Sequence, residues 1–300
     1  MKTFKSILQF AKHFSTDEIC REHLEQSRWN GTPCCPFCAS INVVRFANNN
    51  RVFKCREKVC RKKFSVTVGT IYENSKVPLT KWYLATYILT THSKGISSLQ
   101  LAEMLDVTQK TAWFLTQRIR EMLTVKAPVL LNGTVEIDET FVGGSDKNRH
   151  EHKKKGIGSK TMVIGAVQRG GVVTTKVIPQ VTKEQIDTFI SETVELNSNM
   201  VTDESHAYTN VGKNYNHQRV NHRRKEYVNK ENKSIHTNTI EGFWNILKKQ
   251  IDGIHHSVSP KHLNRYCNEA SFRYNNRENA QDEKFELAVT NCEGRLKYQD

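Results

Sequence analysis

The sequence predicts a chain in successive parts, of which the largest is a mixed α/β domain. Two cysteine pairs lie within residues 31–75, helical patterns with basic residues fill 76–126, and β-prone runs alternate with helical patterns over 127–280. Strands interrupted by single helices are typical of one mixed sheet with helices packed on it. Residues 1–30 are predicted to be an N-terminal helical segment, and residues 281–300 a loose polar tail.

The composition indicates a polyanionic partner. The 300-residue chain has 45 Lys and Arg against 31 Asp and Glu, a formal net charge of +14. Its pI is about 9.4 and its mean hydropathy is −0.61. Such a basic, polar chain is typical of proteins that bind nucleic acid. The sequence has no apolar run long enough for a membrane span and no secretory signal, so we expect a cytoplasmic, nucleoid-associated protein without a membrane partner.

The cysteine spacing predicts a zinc site. The two pairs are Cys35 with Cys38, and Cys55 with Cys60. Between them lie two β-prone runs and an expected turn at Asn48–Asn50, so both pairs fall at the corners of a hairpin. Four thiolates in that arrangement suit tetrahedral zinc, which supplies folding free energy that a small core lacks. Unrelated free thiols are the alternative, and Cys34 is an alternative ligand. The other cysteines are expected to be buried structural thiols: Cys20, Cys267 and Cys292.

Basic residues beside the cysteine pairs, and others in the helical region that follows them, predict contacts with DNA. Asp106–Thr108 is a tight turn between two helical patterns, as in a helix-turn-helix. The candidate DNA-binding residues are Lys62 and Lys63 beside the cysteines, and Lys110, Arg118 and Arg120 on the second helix. A helix pair can also be part of ordinary helical packing, and the basic residues beside the cysteines can form a solvated surface. Both alternatives to DNA binding stay open at this point.

The α/β domain is predicted to have a ribonuclease H-like fold with a mixed five-stranded sheet. Its first strand is Thr134–Val142, and two further strands flank a glycine pair. A helix begins after Thr182, the fourth strand is Asn199–Asp203, and the fifth is placed at Arg219–His222. This order of strands and helices is that of the ribonuclease H-like fold, in which the first and fourth strands lie side by side.

Three carboxylates on separate elements are the candidate catalytic groups. Asp138 lies in the first strand, Asp203 ends the fourth, and Glu241 lies in an amphipathic helix beyond them. Lys248, two helical turns after Glu241, lies on roughly the same side of that helix. Converging carboxylates need cations, and oxygen ligands favour Mg²⁺ or Mn²⁺ over zinc. Two such ions can activate water or a 3′-hydroxyl and stabilise the leaving oxygen of a phosphodiester.

Other acids near these positions are expected to have lesser roles. Glu136 shares the face of Asp138, because alternate residues of a strand point the same way. Glu136, Glu139 and Glu204 are all expected to lie behind the ligands or at the surface.

Short motifs spread over most of the chain carry a family resemblance. They are Cys35-Pro-Phe-Cys38, Phe64–Ile71, Glu136–Gly144, Thr202–Glu204, Val220–His222, His236–Trp244 and Phe272–Asn275. Together they resemble the zinc-ribbon DDE transposases of bacterial insertion sequences, a group akin to the eukaryotic Merlin elements. The resemblance implies a metal-binding triad of Asp138, Asp203 and Glu241, with Lys248 as the trailing basic residue. Some members of the family use asparagine as the third ligand, so Asn238 is an alternative Mg²⁺ ligand.

The resemblance also implies a reaction and its partners. It implies that the protein binds the terminal inverted repeats of a DNA element, cleaves there and joins the ends to target DNA. Synapsis of two ends generally needs two active sites, so a homodimer or higher multimer is expected on double-stranded DNA. A sequence-specific DNA-binding regulator and a metal-dependent nuclease without strand transfer are the alternatives. The clustered acids argue against the regulator, because DNA carries the same charge.

Overall fold

The structure is a computed structural model that describes most of the chain. The described residues are 4, 6–125, 129–143, 160–180, 182–205, 208–209, 211, 214–220 and 232–297. Three residues of the motifs above, Gly144, Asn221 and His222, lie outside these ranges. The chain divides into two compact units, residues 1–123 with 278–300, and residues 124–277.

The described residues alternate between helices and two sheets. The helices are α1 (Ile7–His13), α2 (Asp17–Trp29), α3 (Leu79–Thr91), α4 (Ser98–Leu105), α5 (Gln109–Met122), α6 (Lys183–Thr193), α7 (Asn238–Gln250), α8 (Pro260–Asn275) and α9 (Gln281–Thr290). The strands are β1 (Val43–Phe46), β2 (Asn49–Cys55), β3 (Lys63–Phe64), β4 (Thr134–Val142), β5 (Thr161–Gln168), β6 (Val173–Ile178), β7 (Asn199–Asp203) and β8 (Asn216–Val220). A π-helical turn, Ile251–His255, extends α7. Every helix in the described ranges is too short or too polar to cross a lipid bilayer.

The small sheet of the first unit is the predicted hairpin with one added strand. Its order is β1-β2-β3, and both pairings are antiparallel. Asn49 already pairs with Phe46, so the connection is tighter than the predicted turn at Asn48–Asn50. The hairpin itself is therefore confirmed, and only the position of its turn was wrong.

A short turn separates α4 from α5, where the sequence predicted one. Asp106 has a left-handed backbone conformation, with a φ of 49°, and ends α4. The Thr108 side chain then accepts a hydrogen bond from the amide of Thr111 and caps α5. The two helices are present as expected, whereas their assignment to the helix-turn-helix class stays a prediction.

The C-terminal residues belong to the core of the first unit. The Phe285 side chain on α9 is fully buried, and its ring lies 5.2 Å from that of Tyr83 on α3 and 4.8 Å from that of Phe10 on α1. Ala288 and Val289 are buried on the same face of α9. The prediction of a loose tail over 281–300 is therefore wrong, because a short apolar stripe within a polar segment is enough to dock this helix.

The second unit is built on a mixed five-stranded sheet with the order β6-β5-β4-β7-β8. β4, β5 and β6 pair antiparallel, whereas β7 is parallel to β4 and β8 is parallel to β7. This topology is that of the predicted ribonuclease H-like fold. The fifth strand, Asn216–Val220, begins earlier than the predicted start at Arg219, and the predicted residues Asn221 and His222 lie outside the described residues.

Each face of this sheet covers its own apolar core. One core holds Ile137 and Met200 of the sheet with Phe189 of α6. The other holds Val163 of β5 with Phe243 of α7 and residues of α8. The sheet thus lies between α6 on one side and α7 with α8 on the other, and its two central strands, β4 and β7, carry the candidate acids.

Candidate zinc site and active site

The four cysteines of the two predicted pairs lie together in the first unit. The Sγ atoms of Cys35 and Cys60 are 3.8 Å apart, and those of Cys38 and Cys55 are 3.6 Å apart. All four sulfur atoms lie within 4.8 Å of one another. Zinc–sulfur bonds of about 2.3 Å in a tetrahedron put the sulfur atoms about 3.8 Å apart. The observed distances are too long for disulfides, and they fit four thiolates around one zinc ion.

The chain turns sharply at both cysteine pairs. Ala39, just after the first pair, has a φ of 58°, and Arg61, just after the second, has a φ of 50°. The carbonyl of Glu57 accepts the amides of both Cys60 and Arg61 at 3.1 Å, which closes the wider second pair. Cys34, the alternative ligand, lies outside the cluster.

Aromatic rings provide the core beneath the cysteine cluster. Phe53 and Phe64 stack with ring centroids 5.6 Å apart, and the ring of Trp29 meets Phe53 edge-on at 5.2 Å. Trp29 ends α2, so the N-terminal segment, whose role the sequence did not reveal, supplies part of the core of the ribbon.

The remaining buried thiols are structural, as predicted. Cys20, Cys267 and Cys292 are fully buried, and none of them belongs to the cluster. Burial raises the pKa of the Cys20 and Cys267 thiols to about 12, which keeps both protonated and unreactive.

Alternate residues of strand β4 point to opposite faces of the large sheet. Ile137 is buried in the core on the α6 side, whereas Glu136 and Asp138 both hydrogen-bond residues of α7. β7 pairs with β4 in parallel, with Glu136 opposite Val201. The paired residues of the two strands end there. Extended by two residues, the same register puts Asp138 opposite Asp203 on one face of the sheet, so two of the three predicted ligands fall on neighbouring strands.

Glu136 fixes the beginning of α7. Its side chain is fully buried, and its Oε2 atom accepts the amides of Thr239 at 2.8 Å and Ile240 at 3.0 Å. Its Oε1 atom accepts the Nε–H of Arg169 at 2.6 Å, and Arg169 also donates to the carbonyl of His236 at 2.8 Å. Because the N-cap residue of α7 makes no side-chain cap bond, this carboxylate satisfies the helix amides from a neighbouring strand.

The expectation for Glu136 was incomplete. Glu136 was expected either behind the ligands or at the surface, and it lies behind them. The sequence did not indicate that its carboxylate holds the beginning of α7. The available signal was an acid two positions before Asp138, on the same face of the strand and between two apolar residues, Val135 and Ile137. Glu204 is exposed, as expected.

Helix α7 carries three of the candidate residues and contacts Asp138 of β4 through Trp244. The indole Nε1–H of Trp244 donates to Oδ2 of Asp138 at 3.1 Å. Glu241 is half-buried, and its Oε1 atom accepts the hydroxyl of the N-cap threonine at 3.1 Å. Lys248 and Asn238 are exposed. At 3.6 residues per turn, the side chains of Glu241 and Lys248 point within about 20° of each other. Trp244 and Asn238 lie on opposite sides of Glu241 around the helix, and Asn238, about 60° from Glu241, lies on the solvent side.

Negative charge is concentrated around the middle of β4 and the end of β7. Burial raises the pKa of Glu139 to about 7, and the charges of Asp138 and Asp203 act in the same direction. Burial, together with the charges of Glu139 and Asp138, raises the pKa of Tyr208 well above its usual range. Such a set of oxygen groups suits a divalent cation, which would neutralise it.

Two of the five predicted DNA-binding residues are in the interior. Arg118 is buried and donates to the carbonyls of Ile71 at 2.7 Å and Leu296 at 3.0 Å, and Arg120 is 1% exposed. The prediction that these two arginines contact DNA is therefore wrong, because they hold the core of the first unit together. The other three candidates are exposed: Lys62, Lys63 and Lys110.

The motif at Phe272–Asn275 has a structural role. Asn275 at the end of α8 accepts the amide of Val173 at 2.7 Å and donates to the carbonyl of Val173 at 3.0 Å. These two bonds satisfy the backbone of a residue on edge strand β6 and attach α8 to the sheet.

Comparisons with known proteins identify both units. Residues 130–275 match the ISXO2-like transposase domain, and residues 15–63 match the transposase zinc-ribbon domain. An uncharacterized protein in transposable element ISH50 of Halobacterium salinarum is 28% identical over 273 residues, which cover 85% of this chain and 90% of that protein.

Two solved structures show a weaker likeness. A chain of the simian T-cell lymphotropic virus intasome, in complex with PP2A regulatory subunit B56 gamma, is 13% identical with a TM-score of 0.29, over 57% of this chain and 63% of that chain. A chain of the Mos1 strand transfer complex is 13% identical with a TM-score of 0.25, over 73% of this chain and 79% of that chain.

The mixed sheet with its acidic edge, the cysteine cluster and the two matched domains define a transposase that carries a zinc ribbon. Within that class, the chain belongs to the zinc-ribbon DDE transposases of insertion sequences, with an ISXO2-like transposase domain.

Proposed function

We propose that this transposase binds the terminal inverted repeats of its insertion sequence and catalyses metal-dependent DNA cleavage and strand transfer. The observation that supports the proposal is the parallel pairing of β4 with β7, whose register, extended by two residues, puts Asp138 opposite Asp203, together with the hydrogen bond from Trp244 of α7 to Asp138. Family membership supports the reaction class. Asp138, Asp203 and Glu241 are proposed as the ligands of Mg²⁺ or Mn²⁺.

Oxygen ligands from three carboxylates suit hard divalent cations such as Mg²⁺ or Mn²⁺. We propose that Asp138, Asp203 and Glu241 would hold two such ions. When bound, these ions would activate the attacking water or 3′-hydroxyl and stabilise the leaving oxygen of the phosphodiester.

Glu241 is proposed as the third ligand ahead of Asn238. Both lie in the first turns of α7, but Glu241 is closer to the direction of Trp244, which contacts Asp138. A carboxylate also binds Mg²⁺ more strongly than a neutral amide does. Lys248 points in nearly the same direction as Glu241 and is proposed to bind a DNA phosphate beside the reacting one.

The first unit is proposed to bind DNA. Cys35, Cys38, Cys55 and Cys60 would hold the zinc ion that folds the ribbon. The exposed cations proposed to contact the phosphates are Lys62, Lys63 and Lys110. Synapsis of two element ends would require a dimer or higher multimer on the DNA, in the cytoplasm and associated with the nucleoid.

A strand-transfer assay tests the proposal. Pre-cleaved element ends, supercoiled target DNA and Mg²⁺ should give joined products, and Asp138→Asn should reduce joining by about three orders of magnitude or more. The matched control is Glu204→Gln, an exposed acid beside Asp203, which should join normally. Cleavage without joined products would favour the nuclease, and specific binding without any Mg²⁺-dependent reaction would favour the regulator.

A further inference from the structure

Trp244 makes a polar contact that packing alone does not require. Its indole is 4% exposed, and the ring centroid lies 5.3 Å from that of Phe243 in the core beneath α7. The Nε1–H nevertheless donates a hydrogen bond to Oδ2 of Asp138 at 3.1 Å. Buried tryptophans usually find a hydrogen-bond acceptor. Here the acceptor is a proposed metal ligand.

Gly165 provides the space for this contact. It lies on β5 directly opposite Asp138 in the antiparallel register. A Cβ atom at this position would stand 2.6 Å from Cη2 and 2.8 Å from Cζ2 of Trp244, and 3.2 Å from Cδ1 of Ile240. Those first two distances are shorter than real carbon contacts, and the atoms belong to a rigid ring in a packed core. Any larger residue at 165 would therefore displace the indole from Asp138.

The position of the donor determines what the contact does. A hydrogen bond to an ionised carboxylate is shorter and stronger than a neutral one, and it restricts rotation of the carboxylate. Groups that hold a ligand in this way commonly change metal affinity by about 10–100-fold when they are removed. The anchor is rigid, because α7 is itself held by Glu136 through two backbone amides.

We propose that Trp244 is a positioning residue that orients Asp138 for its metal ions, and that Gly165 is the residue that admits it. This inference rests on the proposed function, since it concerns how Asp138 meets the ions. The tryptophan of the His236–Trp244 motif and the glycine of β5 thus act together: the first donates the hydrogen bond to Asp138, and the second leaves space for the indole. The chain's own indole occupies Oδ2 and thereby sets the orientation of the carboxylate.

The experiment uses the full-length protein and measures Mn²⁺ binding by calorimetry beside strand transfer at increasing Mg²⁺. Trp244→Phe removes the donor and keeps an aromatic ring, so the dissociation constant for Mn²⁺ should rise about tenfold or more. Gly165→Ala should weaken binding similarly. In the double variant the two effects should be less than additive, because both act through the same hydrogen bond.

The matched control is Phe243→Leu, which alters the neighbouring aromatic contact in the same core without touching Asp138. It should lower thermal stability and leave Mn²⁺ affinity unchanged. If Trp244→Phe does not fold, benzothienylalanine at 244 provides nearly the same shape without the N–H donor. Unchanged metal affinity in the variant lacking the donor, or an equal loss in Phe243→Leu, would overturn the inference.

These outcomes differ from failure of the proposed function. That failure would appear in the unmodified protein, as an absence of Mn²⁺ binding that depends on Asp138 and of any joined product. If the unmodified protein binds Mn²⁺ and joins DNA while Trp244→Phe matches it, only the inference about Trp244 and Gly165 is lost.

Discussion

The zinc site and the acidic site obtain their geometry in different ways. The four cysteine ligands come from two turns between residues 35 and 60, and their sulfur atoms already lie within 4.8 Å of one another. The candidate carboxylates come from two strands and a helix between residues 138 and 241. A closed structural site can be specified by local spacing, whereas an open catalytic site depends on residues that hold its elements in place.

The largest expected effect tests whether the zinc site depends on each of its four cysteines. Replacing Cys55 by alanine removes one of four ligands, and structural zinc contributes about 10–16 kcal/mol of apparent binding free energy in small zinc domains. We expect the zinc content to fall from one ion per chain to almost none, and binding to element ends to be lost with it. Elemental analysis and a gel-shift assay would measure the two effects.

The matched control is Cys267→Ala, which changes another fully buried cysteine outside the cluster. Zinc content should stay at one ion per chain in this variant. If Cys55→Ala also retained its zinc, the cluster would not be the zinc site, and the contrast between the two sites would disappear.

The next effect tests how far the acidic site depends on residues that bind no metal. Glu136→Gln leaves the guanidinium of Arg169 without its buried carboxylate and places an amide group against the first amides of α7. Breaking a buried ion pair in this way costs about 3–5 kcal/mol. We expect a lower urea midpoint for the second unit and reduced strand transfer.

Glu204→Gln is the control for this change, since it alters an exposed acid and should shift stability by no more than about 0.5 kcal/mol. A Glu136→Gln protein as stable as Glu204→Gln would show that α7 does not need the remote cap.

The same contrast explains what the sequence could predict. The cysteine cluster was predictable because cysteine pairs have few other uses at that spacing, and the strands that carry Asp138 and Asp203 were predictable from their β-prone residues. The roles of Glu136, Trp244 and Gly165 depend on partners that are distant in the sequence and that only the packed sheet brings together. Arg118 and Arg120 were misassigned because a basic residue on an amphipathic helix resembles a DNA contact until its burial is known.

The smallest expected effect separates surface cations from buried ones. Lys62 and Lys63 are exposed on the ribbon, with their ammonium groups over the rings of Phe37 at 4.5 Å and Phe46 at 4.8 Å. If each lysine contacts one phosphate, changing it to glutamine should reduce the slope of log affinity against log salt by about 1, with little loss of stability. Fluorescence anisotropy at several salt concentrations would measure the slope. Arg118→Gln should behave in the opposite way. It should lower the unfolding midpoint of the first unit, because three backbone carbonyls lose their donor, and leave the salt slope of the folded protein unchanged. A salt slope that fell with Arg118→Gln and not with either lysine would restore the arginine to the DNA interface and contradict its placement in the core.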